Sequence, residues 1–194
     1  MTCLPHPPPE RAPAARPRHP LGWLALCVCA ALTACATPAP TIAPLPAVDI
    51  ARFMGDWYVI AHIPTFPEKN AFNAVESYAQ RPDGRIQTDF RYRDGSFDAP
   101  VETLHPVATV RPGTGNAVWG MQFIWPIQAE YVIADVSPDY QSTIVARSQR
   151  DYVWLMARTP ELSPEAYAQA LRKIEALGYD LAKLRRVPQR WPER

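Results

Sequence analysis

Between residues 55 and 158 the chain breaks into short β-branched and aromatic segments at nearly regular spacing, and only after them does the hydrophobic period change. The segments fall at 55–63, 74–80, 85–93, 101–110, 117–125, 130–136, 140–146 and 152–158. Short connections such as "RPDG" (81–84) join them, with proline and glycine placed for tight turns, so neighbouring strands are antiparallel. The third alternates Ile86, Thr88, Phe90 and Tyr92 with Gln87, Asp89, Arg91 and Arg93, one dry face and one wet. Pro106 interrupts the fourth and predicts an edge or a bulge there. A single amphipathic helix follows in "SPEAYAQALRKIEALG" (163–178). Ser163 is its N-cap and Pro164 its first residue, with Tyr167, Ala170, Leu171, Ile174 and Leu177 on one stripe and Gly178 at the C-cap. One helix cannot cover both faces of eight strands. The chain is therefore expected to be all-β, an eight-stranded antiparallel up-and-down barrel with the C-terminal helix packed outside. A barrel of that size has room for one small ligand.

Composition excludes several functions. The chain is 47% hydrophobic and 20% charged with a net charge of +1, so no basic face is available for nucleic acid. Cys3, Cys27, Cys29 and Cys35 all lie in the first 35 residues, which leaves the folded domain without a disulfide, a cysteine metal site or a thiol nucleophile. His62 and His105 stand alone, with no carboxylate or cysteine at metal spacing, and read as surface or lining residues. No metal or cofactor is expected. Neither a nucleophile elbow nor a phosphate-cradling glycine loop occurs, and Ser77, Ser96, Ser142 and Ser148 have no candidate base nearby in sequence, so no catalytic residue is assigned.

The N-terminus reads as an address. Arg11, Arg16 and Arg18 precede "LGWLALCVCAALTAC" (21–35), an apolar run too short to span a membrane and suited to secretion. Its end, "LTAC", resembles the lipobox of bacterial lipoproteins; an uncleaved anchor is the alternative. The resemblance implies a signal peptide over 1–34 and diacylglycerol on Cys35, whose acyl chains would each bury methylenes at ~0.8 kcal/mol apiece. Ala36 follows the cysteine, where a residue other than aspartate directs enteric lipoproteins to the outer membrane. Residues 35–48 then form a tether, and their alternating prolines favour extended polyproline II. Removing 1–34 takes three of the 20 basic and one of the 19 acidic residues, leaving 17 and 18, so charge would not hold the mature protein to anionic lipid.

Residues 49–190 carry a family likeness. "GDWY" (55–58) resembles the G-x-W-Y signature of lipocalins, and Arg158 in "YVWLMARTP" matches the arginine of a later signature. "DVSPDY" (135–140) matches only loosely an acidic, tyrosine-containing motif between them. With the lipobox and "GYDLAKLRRVPQ" (178–189), the combination resembles the bacterial outer-membrane lipocalins of the apolipoprotein D-like branch. By that resemblance Gly55 lets the opening helix cross the barrel closely, Trp57 plugs the closed end, and Arg158 stacks on the indole and caps backbone carbonyls. The alternative is that Trp57 and Arg158 are a core aromatic and a surface charge; in both readings they are structural.

Phe90, Tyr92, Trp119, Phe123 and Trp125 share faces on the third and fifth strands, and Tyr78 and Tyr131 join them from the second and sixth. These aromatics either fill a core or line a cavity, and closure of the barrel favours the lining. Phe66 and Phe72 flank the first loop, which in lipocalins arches over the open mouth. Glu76 shares the inward face with Ala74 and Tyr78, where a small residue is usual. Three settings suit it: the amine of a lipid head group, a paired arginine, or water at the rim. The resemblance implies a lipid-binding, non-enzymatic outer-membrane lipoprotein that stores or transports a fatty acid such as palmitate, or a lysophospholipid, in envelope maintenance. A homodimer is one arrangement it allows. A lipid-modifying enzyme on the same barrel and a structural lipoprotein with a filled barrel are the alternatives.

Overall fold

A computed structural model describes residues 40–193. The signal peptide and Cys35 of the sequence reading lie outside these residues. Helix α1 (Ile50–Phe53) is capped by Asp49, whose side chain accepts from the Arg52 N–H at 3.2 Å. Strands β1 (Gly55–Ile63), β2 (Ala71–Gln80), β3 (Ile86–Asp94), β4 (Val101–Leu104), β5 (Val107–Val110), β6 (Val118–Ile124), β7 (Ile127–Val136), β8 (Ser142–Ala146) and β9 (Val153–Ala157) follow, then helix α2 (Pro164–Ala176) and the two-residue β10 (Arg185–Arg186). Each strand pairs antiparallel with its neighbour, and β9 returns to β1 from Tyr58↔Ala157 to Ile63↔Val153, closing the barrel. The predicted fourth strand is β4 and β5, both paired to β3, with Pro106 at the break offering its carbonyl to the Thr88 N–H at 3.0 Å. Counted as one stave they leave eight, as expected, and β10 adds a short edge to β1.

Apolar side chains sort into two layers. Inside the barrel lie Phe53, Trp57, Tyr78, Trp119, Tyr131 and Met156. Outside, Ile60, Leu155, Ile174 and Tyr179 pack between the wall and α2. Strand β9 serves both layers, sending Trp154 and Met156 inward and Val153, Leu155 and Ala157 under the helix, so its sequence is a continuous apolar run. Ser163 caps α2 by accepting from the Ala166 N–H at 3.1 Å, and the Lys173 ammonium meets Asp135 of β7 at 2.8 Å.

Two local readings are corrected. Residues 40–48, part of the segment read as an extended tether, dock on the barrel. Ile42 and Val48 are buried, the Leu45 N–H donates to the Ile133 carbonyl at 3.3 Å, and the Val48 N–H to Gly115 at 2.7 Å. Gly115 permits the approach, because a Cβ there would sit 2.0 Å from the Pro46 carbonyl oxygen. His62 is neither on the surface nor part of the cavity wall but fully buried. A register shift between Val59 and Ala61 lets the consecutive Ile60 and Ala61 both face the helix, and the next residue, His62, then turns toward Glu68.

At the closed end the Arg158 guanidinium lies 3.7 Å over the Trp57 ring and donates to the carbonyls of Arg52, Met54 and Asp56 at 2.7, 2.9 and 2.8 Å. Gly55 has φ +91°, and a Cβ there would meet the guanidinium at 3.4 Å, which explains a glycine two residues before the tryptophan. Trp57→Ala should cost ~3–5 kcal/mol, and Arg158→Lys, which keeps the charge and loses the forked donors, about 1–3 kcal/mol. Urea unfolding midpoints test both.

Candidate functional site

An aromatic layer floors the barrel. Phe53 sits 5.1 Å from Trp57, 5.5 Å from Tyr78 and 5.4 Å from Trp119, ring centre to ring centre. The two indole N–H groups are satisfied locally, Trp57 donating to the Phe53 carbonyl at 2.8 Å and Trp119 to that of Asn116 at 2.7 Å. Above this layer a cavity of ≈520 Å³ remains, within the ~300–1,000 Å³ usual for small-molecule sites. Its walls include Phe90, Met121, Tyr131 and Trp154, and its mouth includes Leu104, Phe123, Ile124 and Tyr152.

The eight residues singled out as ligand-binding separate into four places. Glu76, Phe90, Phe123 and Tyr131 line the cavity. Tyr78 and Trp119 belong to the packed floor. Tyr92 is buried outside the lining, 5.0 Å from the Phe90 ring, and its hydroxyl donates to Glu102 at 2.9 Å. Trp125 is not in the cavity: it is 82% exposed in the turn between β6 and β7. Strand β6 ends at Ile124 after a register shift beyond Met121, so the alternation that carried Trp119 and Met121 inward does not extend to Trp125. Of the loop aromatics, Phe66 is fully out at 92% exposure, and Phe72 packs on Phe97 at 5.0 Å. Trp154 and Glu68 are lining residues missing from the predicted set. The inward alternation of "VWLMA" carries Trp154, whereas Glu68 lies in a loop turn with no periodic signal.

Glu68 fixes the first loop to the barrel interior. Its carboxylate accepts from the Trp154 indole N–H at 2.8 Å and the Thr65 hydroxyl at 2.7 Å, and faces His62 Nδ1 at 3.4 Å. Glu76 sits lower, opposite Trp57 on β1 and Phe90 on β3, and is buried with no cation at ion-pair distance among the described residues. Burial raises its pKa to about 8 against the opposing pull of the hydrogen bond from Tyr78, while the negative field of Glu68 adds to the rise and a bond from Tyr131 opposes it. The Tyr78 and Tyr131 hydroxyls also bond each other, and burial pushes both phenols well above their ordinary range. At the rim Arg147 pairs with Asp151 at 2.9 Å, and the His105 ring meets Asp89 at 2.7 Å.

A closed antiparallel barrel with a plugged floor, an open apolar cavity and one external helix defines a barrel of the lipocalin type. Residues 48–189 match the lipocalin-like domain family, and the chain belongs to it. It is 29% identical to temperature-induced lipocalin-1 of Arabidopsis thaliana over 73% of this chain and 80% of that protein. To the outer membrane lipoprotein Blc of Escherichia coli K12 it is 24% identical over 81% of this chain and 90% of that protein. Bovine apolipoprotein D is 27% identical over 60% of this chain and 64% of its own length. Among solved structures, insecticyanin from the tobacco hornworm Manduca sexta superimposes with a TM-score of 0.62 at 15% identity, covering 80% of this chain and 88% of that one. Lipocalins are generally binding and transport proteins.

Because the folded-state pKa of Glu76 lies above its unfolded value of 4.5, the folded state holds a proton that the unfolded state releases as pH rises. Stability therefore falls between pH 4.5 and about 8 and levels off above, a loss on the order of 3 kcal/mol by pH 7. Glu76→Gln should be more stable than the parent at pH 7 and close to it at pH 4, measured by urea unfolding at both values.

Proposed function

We propose that this protein is a lipid-binding lipoprotein of the outer membrane, anchored through Cys35, that stores or transports a fatty acid or lysophospholipid in its barrel for envelope maintenance, without chemical conversion. The observation that carries this reading is the continuity between the cavity and an exposed apolar hairpin. Phe123 and Ile124 line the mouth yet are 54% and 72% exposed, and Trp125 and Ile127 beside them are 82% and 70% exposed. Phe66 adds a further bare ring from the loop whose Thr65, Pro67 and Glu68 line the same cavity. Apolar side chains clustered so tightly mark an interaction surface, and at the mouth of an apolar cavity a lipid surface is its natural counterpart. The outer-membrane Blc lipoproteins of Escherichia coli and Vibrio cholerae among its relatives support the location, and the open cavity favours a carrier over a filled barrel.

Native mass spectrometry of the full chain after incubation with a lipid extract tests this. A defined adduct that leaves intact on denaturation is expected; cleaved lipid identifies an enzyme, no adduct a structural barrel, and doubled mass a dimer. Trp125→Asp with Ile127→Asp should slow lipid uptake from vesicles about tenfold. These two residues do not line the cavity, so equilibrium binding of a dissolved ligand should be unaffected.

A further inference from the structure

The deep part of the cavity is acidic and, among the described residues, lacks a counter-charge. Glu76 faces it from β2 and is only 8% exposed. Every charged or titratable group around Glu76 is an acid or a phenol: Glu68 from the first loop, Tyr78 on its own strand and Tyr131 on β7. Trp57, Phe90 and Met121 complete the surroundings from β1, β3 and β6 and carry no charge. His62 reaches Glu68 rather than the cavity, and at the rim the Arg147 guanidinium and the His105 ring are held by Asp151 and Asp89. A third lining acid, Glu130, accepts from the Ser148 N–H at 2.7 Å and its hydroxyl at 3.1 Å. The wall is also aromatic, Tyr131 and Trp154 stacking at 6.1 Å with Phe90 among the other lining residues.

We propose that the cavity prefers a single-chain amphiphile with a protonated amine head, inserted head first so that the ammonium lies between the carboxylates of Glu76 and Glu68. The proposal rests on the reading that the cavity holds single-chain lipid and narrows its ligand class and direction. The ammonium supplies the missing counter-charge, the Tyr131 phenol oxygen accepts a further N–H bond, and the aromatic faces attract a cation. A fatty acid inserted the same way would set its carboxylate against that of Glu68 with no cation beside it. It is therefore confined to the opposite direction, tail against the floor and head near Arg147. Seating an ammonium beside the neutral Glu76 acid expels that acid's proton to solvent and leaves an ammonium–carboxylate pair, so amine binding releases a proton and alcohol binding does not.

Isothermal titration of the full chain at pH 7 with octylamine, octanol and octanoate, in two buffers of different ionisation enthalpy, tests this. Octylamine should bind about tenfold or more tightly than octanol, with release of close to one proton, and octanoate more weakly than octanol. In Glu76→Gln the gap between amine and alcohol should close and the proton release vanish. An amine no tighter than the alcohol, a preference that survives Glu76→Gln, or binding without proton release overturns the proposal and leaves the lipid reading standing. Failure of all three ligands to bind the folded protein overturns both.

Discussion

The contact between Arg158 and Trp57 is the point from which the barrel is organised. A guanidinium resting 3.7 Å from the indole ring satisfies the carbonyls of Arg52, Met54 and Asp56 at the end of α1 and the start of β1. Gly55, with φ +91°, carries the chain between them, and its missing Cβ leaves room for the guanidinium. The interaction thus joins the last barrel strand to the first, where β9 and β1 already close the ladder. It also holds Phe53 and Trp57 across the closed end. Everything above depends on that stop, because the floor decides how far down a ligand can go.

Above the floor, packing gives way to space. Large aromatics meet in the lower layer and consume it, while the upper walls, with Phe90, Tyr131 and Trp154 among their residues, leave a space of ≈520 Å³. The result is a cavity in a barrel of ordinary size. Placing Glu76 at its base costs stability at neutral pH, a cost that a filled hydrophobic core would have avoided by a small apolar residue. Retaining an acid there makes sense when the space above it is used.

Much of this was legible in the sequence. Strand spacing and the single helix sufficed for a closed barrel, and Gly55, Trp57 and Arg158 were readable as its plug. Inward alternation placed Phe90 and Tyr131, and it singled out Glu76 as an acid on the wrong face. Other features depend on places where alternation breaks. The shift past Met121 moved Trp125 from expected lining to exposed tip, and the bulge near Ile60 turned His62, expected on the surface or in the lining, into the packed interior. Glu68 reaches the cavity from a loop, so its role rests on tertiary contacts with Trp154 and Thr65. The docking of residues 40–48 escaped notice because their prolines read as extended chain, and extended chain can lie against a wall as well as in water.

The central claim is that an apolar chain enters the barrel and lies against its wall. Fluorescence quenching of the full chain by a lysolipid brominated along its acyl chain measures this directly, since bromine quenches only indoles it touches. Saturable quenching of emission that is lost in Trp154→Phe, with Trp125 left in place, is the predicted result. Quenching that never saturates, or that persists unchanged in Trp154→Phe, would place the lipid on the outer surface and contradict a ligand-holding barrel.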